Sequence, residues 1–93
     1  MTYWLYILLC NNNTYYTGYT VDLLRRYREH QSGSHKCKYT RSFKPLELVQ
    51  CWPLTDKSQA LKLEYKIKAL SRLAKERLIA NPDALSVMIA ALG

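Results

Sequence analysis

From Tyr3 to Cys10 (YWLYILLC) apolar side chains fall on both parities, the pattern of a strand covered on both faces. Asn11-Asn12-Asn13 follows. Asparagine tolerates the left-handed region and bonds its own backbone, so these residues predict a turn. Thr14 to Thr20 (TYYTGYT) is rich in β-branched and aromatic residues and reads as a second strand, closing a hairpin. A turn centred on Asn12 sets Cys10 opposite Thr14, Leu8 opposite Tyr16 and Tyr6 opposite Gly18. With a side-chain period of two, Tyr6, Tyr16 and Gly18 share one face, Tyr6 diagonal to Tyr16. A shallow tyrosine-walled pocket is expected above the bare Gly18.

The period then changes. Asp22 opens a helix to about Gln31, stopped near Ser32-Gly33, with Val21, Leu24 and Tyr27 as its expected core face. Arg26 and His30, four apart, share one flank, while Arg25 and Arg28 point elsewhere. Residues 34–45 form a polar connection. Leu46 to Leu54 (LELVQCWPL) is a third strand closed by Pro53. Thr55 or Asp56 caps a helix from about Lys57 to Leu70, with Ala60, Leu63, Ile67 and Leu70 on its inner arc. Glu64 falls inside that arc, where an acid is costly unless paired or bound to a cation. Two readings stay open for it: a partner such as Arg26, Lys68 or a tyrosine hydroxyl, or a metal-ligand role. A short basic helix from Arg72 to Ala80 follows. Asn81-Pro82-Asp83 restarts the helix, and the apolar Ala84–Leu92 segment packs against the sheet.

This is a packed α+β pattern, a small three-stranded antiparallel sheet flanked by helices. Ninety-three residues are expected to make one domain, 1–93, with a core to residue 80 and a C-terminal helix over 82–93. Fourteen Lys and Arg stand against seven acids, a net charge of +7, which fits a polyanionic partner and, taken alone, equally fits a soluble protein with a basic surface. Lys36, Lys38, Arg41 and Lys44 lie in the 34–45 connection with Tyr39, Phe43 and no acid, a funnel for a nucleic-acid backbone. Cys10, Cys37 and Cys51 form no CxxC pattern. Cys10 and Cys51 sit in apolar runs as core residues, and His35 with Cys37 lacks the second ligand pair a zinc site needs. Free thiols fit a reducing cytoplasm. The apolar start has no basic region or cleavage site and is too short to span a bilayer, so a cytoplasmic protein with no membrane partner is expected.

Leu5-Tyr6, then Tyr16-Thr17-Gly18 ten residues after Tyr6, resembles the paired signature of the GIY-YIG nuclease superfamily. Arg26 falls where that family keeps an arginine on its first helix, and Glu64 where it keeps a metal-binding glutamate. The run YTGYTVDLLRRYREH…KYTR…EYKIKALSR is most similar to the small stand-alone bacterial branch related to the excision-repair nuclease domain. There are departures. Trp-Leu-Tyr lacks the first motif's glycine, Tyr19 stands where excision-repair relatives often carry a lysine, and Asn81 is the one Asn downstream of the glutamate.

The resemblance implies an endonuclease hydrolysing phosphodiester bonds, in DNA more than RNA, with one divalent cation, Mg²⁺ or Mn²⁺, held by Glu64. Tyr6 would orient or deprotonate the attacking water, its phenol activated by Arg26, which also clamps a phosphate oxygen. Tyr16 would be a second anchor, and His30 a proton carrier or phosphate donor. Gly18, Tyr19, Lys36, Lys38, Arg41 and Lys68 would meet the substrate. The alternatives are a nucleic-acid-binding module on the same scaffold with little or no catalysis, and an adaptor binding protein through the C-terminal helix. Oligomeric state is left open by the sequence.

Overall fold

The computed structural model describes residues 1–92. Three strands make an antiparallel sheet in the order β2-β1-β3, with β1 at Tyr3–Cys10, β2 at Tyr15–Thr20 and β3 at Pro45–Leu54. The hairpin register is the expected one, Tyr6 opposite Gly18 and Leu8 opposite Tyr16. Asn13 takes φ 63° at the turn, and Cys10 N–H donates to the Thr14 carbonyl at 2.9 Å. β3 pairs with the other side of β1, and its register shifts between Ile7 and Leu8 and between Leu9 and Cys10. Pro53 is accommodated because β3 is an edge strand.

Five helices follow the sequence. They are α1 (Leu23–Ser32), α2 (Lys38–Ser42), α3 (Lys57–Lys68), α4 (Arg72–Ala80) and α5 (Leu85–Leu92), the last entered through a 3-10 turn at Pro82–Ala84. Asp22, Asp56 and Ser71 cap α1, α3 and α4, each accepting a backbone N–H of the first turn. Gly33, at φ 73°, closes α1 in the left-handed conformation that glycine adopts without strain. Among the described residues no helix is long and apolar enough to cross a membrane.

β1 is buried on both faces, as its unbroken apolar run requires. One face holds Leu5 and Ile7 and packs with Trp52, Leu54, Ala60, Leu63, Ile67, Leu78 and Leu85 under α3, α4 and α5. The other holds Tyr6, Leu8 and Cys10, with Tyr16, Leu23, Tyr27, Leu48 and Cys51 packed on them. Cys51 is thus half-buried rather than interior. α5 joins the first face through Leu85, with Met88, Ile89 and Leu92 against it, and Trp52 Nε1 donates to the Pro82 carbonyl at 3.0 Å.

Two expectations are corrected. The inner face of α1 is not Val21, Leu24 and Tyr27, since Val21 is 54% and Leu24 59% exposed. Because Asp22 is the cap, Val21 lies outside the helix, and the period starting at Leu23 turns Leu23, Tyr27 and His30 inward. The connection over residues 34–45 is not plain loop either. It contains α2, which carries two buried side chains beside it and within it, Cys37 and Thr40.

Candidate active site

Period two on β1 and β2 delivers Tyr6 and Tyr16 to the face covered by α1, and the helical period delivers His30 onto them. The Tyr6 hydroxyl and His30 Nε2 are 2.8 Å apart. The rings of Tyr6 and Tyr16 are 6.5 Å apart, and both meet His30 edge-on, at 5.7 and 5.1 Å. Gly18 explains itself here. A Cβ at that position would stand 2.5 Å from the Tyr6 hydroxyl oxygen, so a side chain there would displace the phenol. The expected open pocket above Gly18 is therefore absent, its space filled by the Tyr6 ring, and Gly18 seats Tyr6 rather than substrate.

His30 is 1% and Tyr6 3% exposed. Burial, helped by the Arg26 charge, pushes the His30 imidazolium down to about 4, against the weaker pull of Glu29, so the ring is neutral at pH 7. Burial followed by Tyr16 holds the Tyr6 phenol well above its ordinary range, and Arg26 only partly opposes this. Arg26 pulls the phenol down as expected, but in the protein alone the desolvation outweighs this one half-exposed cation. The expected role of His30 as a phosphate donor falls with its burial. With Tyr6 on one ring nitrogen and Thr40 on the other, it is placed to exchange a proton with Tyr6.

On its other side, His30 Nδ1 lies 2.6 Å from Thr40 Oγ1, and Thr40 donates to the Cys37 carbonyl at 3.4 Å. Arg26 Nη1 is 3.8 Å from Cys37 Sγ and 3.5 Å from a Glu29 carboxylate oxygen. Arg26 lines two depressions, one of about 210 Å³ with Asp22, Arg25, Glu29 and Lys36, and one of about 440 Å³ with Tyr3, Tyr19 and Lys57.

α3 lies over β2 and β1, and Glu64 and Lys68 on it reach the rim of the same site. Lys68 Nζ stands 6.0 Å from the Tyr16 ring centre and 3.1 Å from Glu64 Oε1. Of the two readings left open for Glu64, the partner is found, and it is Lys68. Both side chains keep contact with water, Glu64 at 20% and Lys68 at 51% exposed, so the pair contributes at most about 1 kcal/mol. The charge of Glu64 bears on both tyrosines. Burial raises the Tyr16 phenol too, with Lys68 pulling it down.

Not every expected contact residue gathers here. Tyr19 lies on the opposite face of the sheet from Tyr6, packed against the apolar core, since its parity is odd where that of Tyr6's partner Gly18 is even, and it meets Arg26 only across the depression they both line. Lys36 is paired with Glu29 at 3.8 Å, Lys38 begins α2, and Arg41 bonds His35 at 3.1 Å. Asn81 joins α4 to the 3-10 turn. Thr40 was missed, while Cys37 and Tyr39 were read in other roles, as half of a ligand pair and as part of the backbone funnel. Tyr39 stacks on Tyr16 at 5.6 Å, and its hydroxyl is held by Thr14 and Asn12 at the hairpin tip. The available signal was Cys37 and Thr40 three apart in a charged segment, one turn of helix with a buried side.

A family model described as the GIY-YIG catalytic domain matches residues 2–77. The chain belongs to the GIY-YIG catalytic domain family. It is 44% identical over 79 residues to the UPF0213 protein BH0048 of Halalkalibacterium halodurans, covering 85% of this chain and 83% of that one. Similarity to the UPF0213 protein YhbQ of Salmonella typhimurium is 40% over 93 residues, 99% of this chain and 92% of the relative. The solution NMR structure of the UPF0213 protein BH0048 has a TM-score of 0.56 at 44% identity, over 86% of this chain and 84% of that one. The GIY-YIG chain thus has a nuclease family's domain, and its small sheet flanked by helices is the fold of a solved relative. The names of these relatives state no activity or substrate.

Among the described residues no three His, Cys, Asp or Glu come together, so the protein alone builds no closed cage. Glu64 has one carboxylate oxygen engaged by Lys68 and a second remaining. A single carboxylate at an open rim fits Mg²⁺ or Mn²⁺, which retain much of their water and take phosphate oxygens.

Proposed function

We propose that this GIY-YIG chain is a metal-dependent endonuclease hydrolysing phosphodiester bonds in nucleic acid, DNA rather than RNA. The observation that carries the reading is the buried 2.8 Å bond between the Tyr6 hydroxyl and His30 Nε2, under a rim that holds Arg26, Glu64 and Lys68. The preference for DNA rests on the similarity to the excision-repair branch.

A phenol held above its ordinary range cannot act as a standing phenolate. It can act as a relay. Water positioned on the Tyr6 oxygen gives up a proton to it while the Tyr6 proton moves to the bare Nε2 of His30, so no free phenolate forms. The water oxygen bonds to phosphorus, the P–O3′ bond breaks, and the departing oxygen takes a proton from solvent. Arg26 presents a planar fork to a non-bridging oxygen, exchanging its Glu29 and Cys37 contacts for phosphate. Tyr16 and Lys68 anchor the same group from the α3 side. Glu64 would hold the Mg²⁺ or Mn²⁺, which when bound supplies positive charge to the phosphate and the leaving oxygen. The Lys36, Lys38 and Arg41 side chains meet the flanking backbone.

A second reading has its own observation. Tyr6 is only 3% exposed and Glu64 is engaged by Lys68, as suits a module that binds nucleic acid and hardly cuts it. Labelled single-stranded, duplex and branched DNA, and RNA, incubated with Mg²⁺ or Mn²⁺, separate the two. Cleavage by the wild type that disappears in identically purified Glu64→Ala, with binding intact, is the expected result. Salt-dependent binding without cleavage by either protein would leave the binding module.

A further inference from the structure

We infer that Thr40 is a positioning residue that fixes the tautomer of His30, and so the direction in which a proton leaves Tyr6. The inference rests on the nuclease reading for its catalytic consequence, but not for its structural content.

Thr40 has one hydroxyl proton, and a carbonyl can only accept. With the Thr40 proton on the Cys37 carbonyl at 3.4 Å, Thr40 Oγ1 faces His30 Nδ1 at 2.6 Å as an acceptor. Nδ1 then carries the ring's N–H. A neutral imidazole has only one, so Nε2 is bare and accepts the Tyr6 O–H at 2.8 Å. Every proton in the series, from Tyr6 to His30 to Thr40 to the Cys37 carbonyl, meets an acceptor.

The reverse order leaves a fault. If Thr40 donated to Nδ1, Nε2–H would donate to the Tyr6 oxygen, and the Tyr6 proton would have no acceptor among the described residues. Tyr6, His30 and Thr40 are all buried, where a donor unmet by the protein is costly. The forward order alone meets every donor of the series within the protein, and it makes Tyr6 a donor toward the protein interior. Its oxygen lone pairs are then the part left for a water. The Cys37 carbonyl is itself fixed, since it also accepts Arg41 N–H at 3.0 Å in the first turn of α2. A short helix that looks like a connection therefore sets the polarity of the site.

The test uses the full chain without substrate first. Two-bond ¹H–¹⁵N correlation spectra at pH 7 distinguish a pyrrole-like from a pyridine-like nitrogen in each of the two histidines, with His35→Gln assigning them. Wild type is expected to show His30 with Nδ1 pyrrole-like and Nε2 pyridine-like. Thr40→Val, of the same shape without the hydroxyl, is expected to invert or mix the pattern, and Thr40→Ser to restore it. In cleavage assays Thr40→Val should lose on the order of 10²-fold in kcat with KM unchanged, and Thr40→Ser should recover most of it. A protonated Nε2 in the wild type overturns the inference, whether or not Thr40→Val folds. So does an unchanged pattern in folded Thr40→Val, or a loss confined to KM. If wild type cuts no substrate while the tautomer pattern holds and responds to Thr40, the nuclease reading fails and the positioning role stands.

Discussion

On one face of β1, Leu5 and Ile7 are wholly buried among the leucines and isoleucines of α3, α4 and α5, with Trp52 and Leu54 of β3. One residue along, on the other face, Tyr6 packs with Leu8 and Cys10 beneath α1 and touches Tyr16 and His30. The same strand serves both. The first face is stabilised by filled volume, where any hydrocarbon of the right shape suffices. The second also has to satisfy a hydroxyl and two ring nitrogens away from water, so each residue there is fixed by a partner as well as by size. Stability should therefore be concentrated on the first face and chemistry on the second.

Three changes test that division, from the largest expected effect to the smallest. Leu78→Ala empties volume on the apolar face, where Leu78 is buried in α4 and is none of the proposed contact residues. It should lower unfolding free energy by about 2–5 kcal/mol, while cleavage per folded molecule stays at the wild-type level. Loss of cleavage in the folded fraction would show that the two faces are coupled.

His30 makes the second face sensitive to pH. Its folded value is depressed, to about 4 against 6.5 for a free side chain. Below pH 6.5 the unfolded chain takes up a proton that the folded one refuses, so acidification favours unfolding down to about pH 4 and not further from this group. On the order of 3 kcal/mol is at stake over that window. Urea unfolding of wild type between pH 7.5 and 4 should show the decline, and His30→Phe should lack it. An identical slope in both proteins would assign the effect to other groups.

Gly18→Ala tests whether the glycine serves Tyr6. The added Cβ meets the Tyr6 hydroxyl carbon at 2.7 Å as well as the oxygen, so about 1–3 kcal/mol of destabilisation is expected, together with loss of cleavage. In a Tyr6→Leu background the stability cost of Gly18→Ala should vanish, since the colliding atoms are gone. A cost that persists would place the constraint in the backbone of β2 instead.

Sequence alone determined the three strands, the helices other than α2, and their order. The double-parity apolar run of β1, the asparagine turn, the caps at Asp22 and Asp56, and the glycine stop after α1 are local signals, set by backbone preferences within a few residues. From them follow the hairpin register and the shared face of Tyr6, Tyr16 and Gly18. The spacing of those residues, with Arg26 and Glu64, also sufficed to identify the family. What the tertiary structure decided was which polar group meets which. That His30 sinks beneath Tyr6, that Tyr6 fills the space over Gly18, that Tyr19 lands among the apolar residues and that Lys68 takes Glu64 all depend on how helices seat on the sheet. So does the part played by Thr40, whose segment looks like a charged connection until α2 turns Cys37 and Thr40 inward. Desolvation belongs to the same class. Whether a tyrosine or histidine is charged depends on the atoms that displace water around it, and those atoms come from elements far apart in the chain.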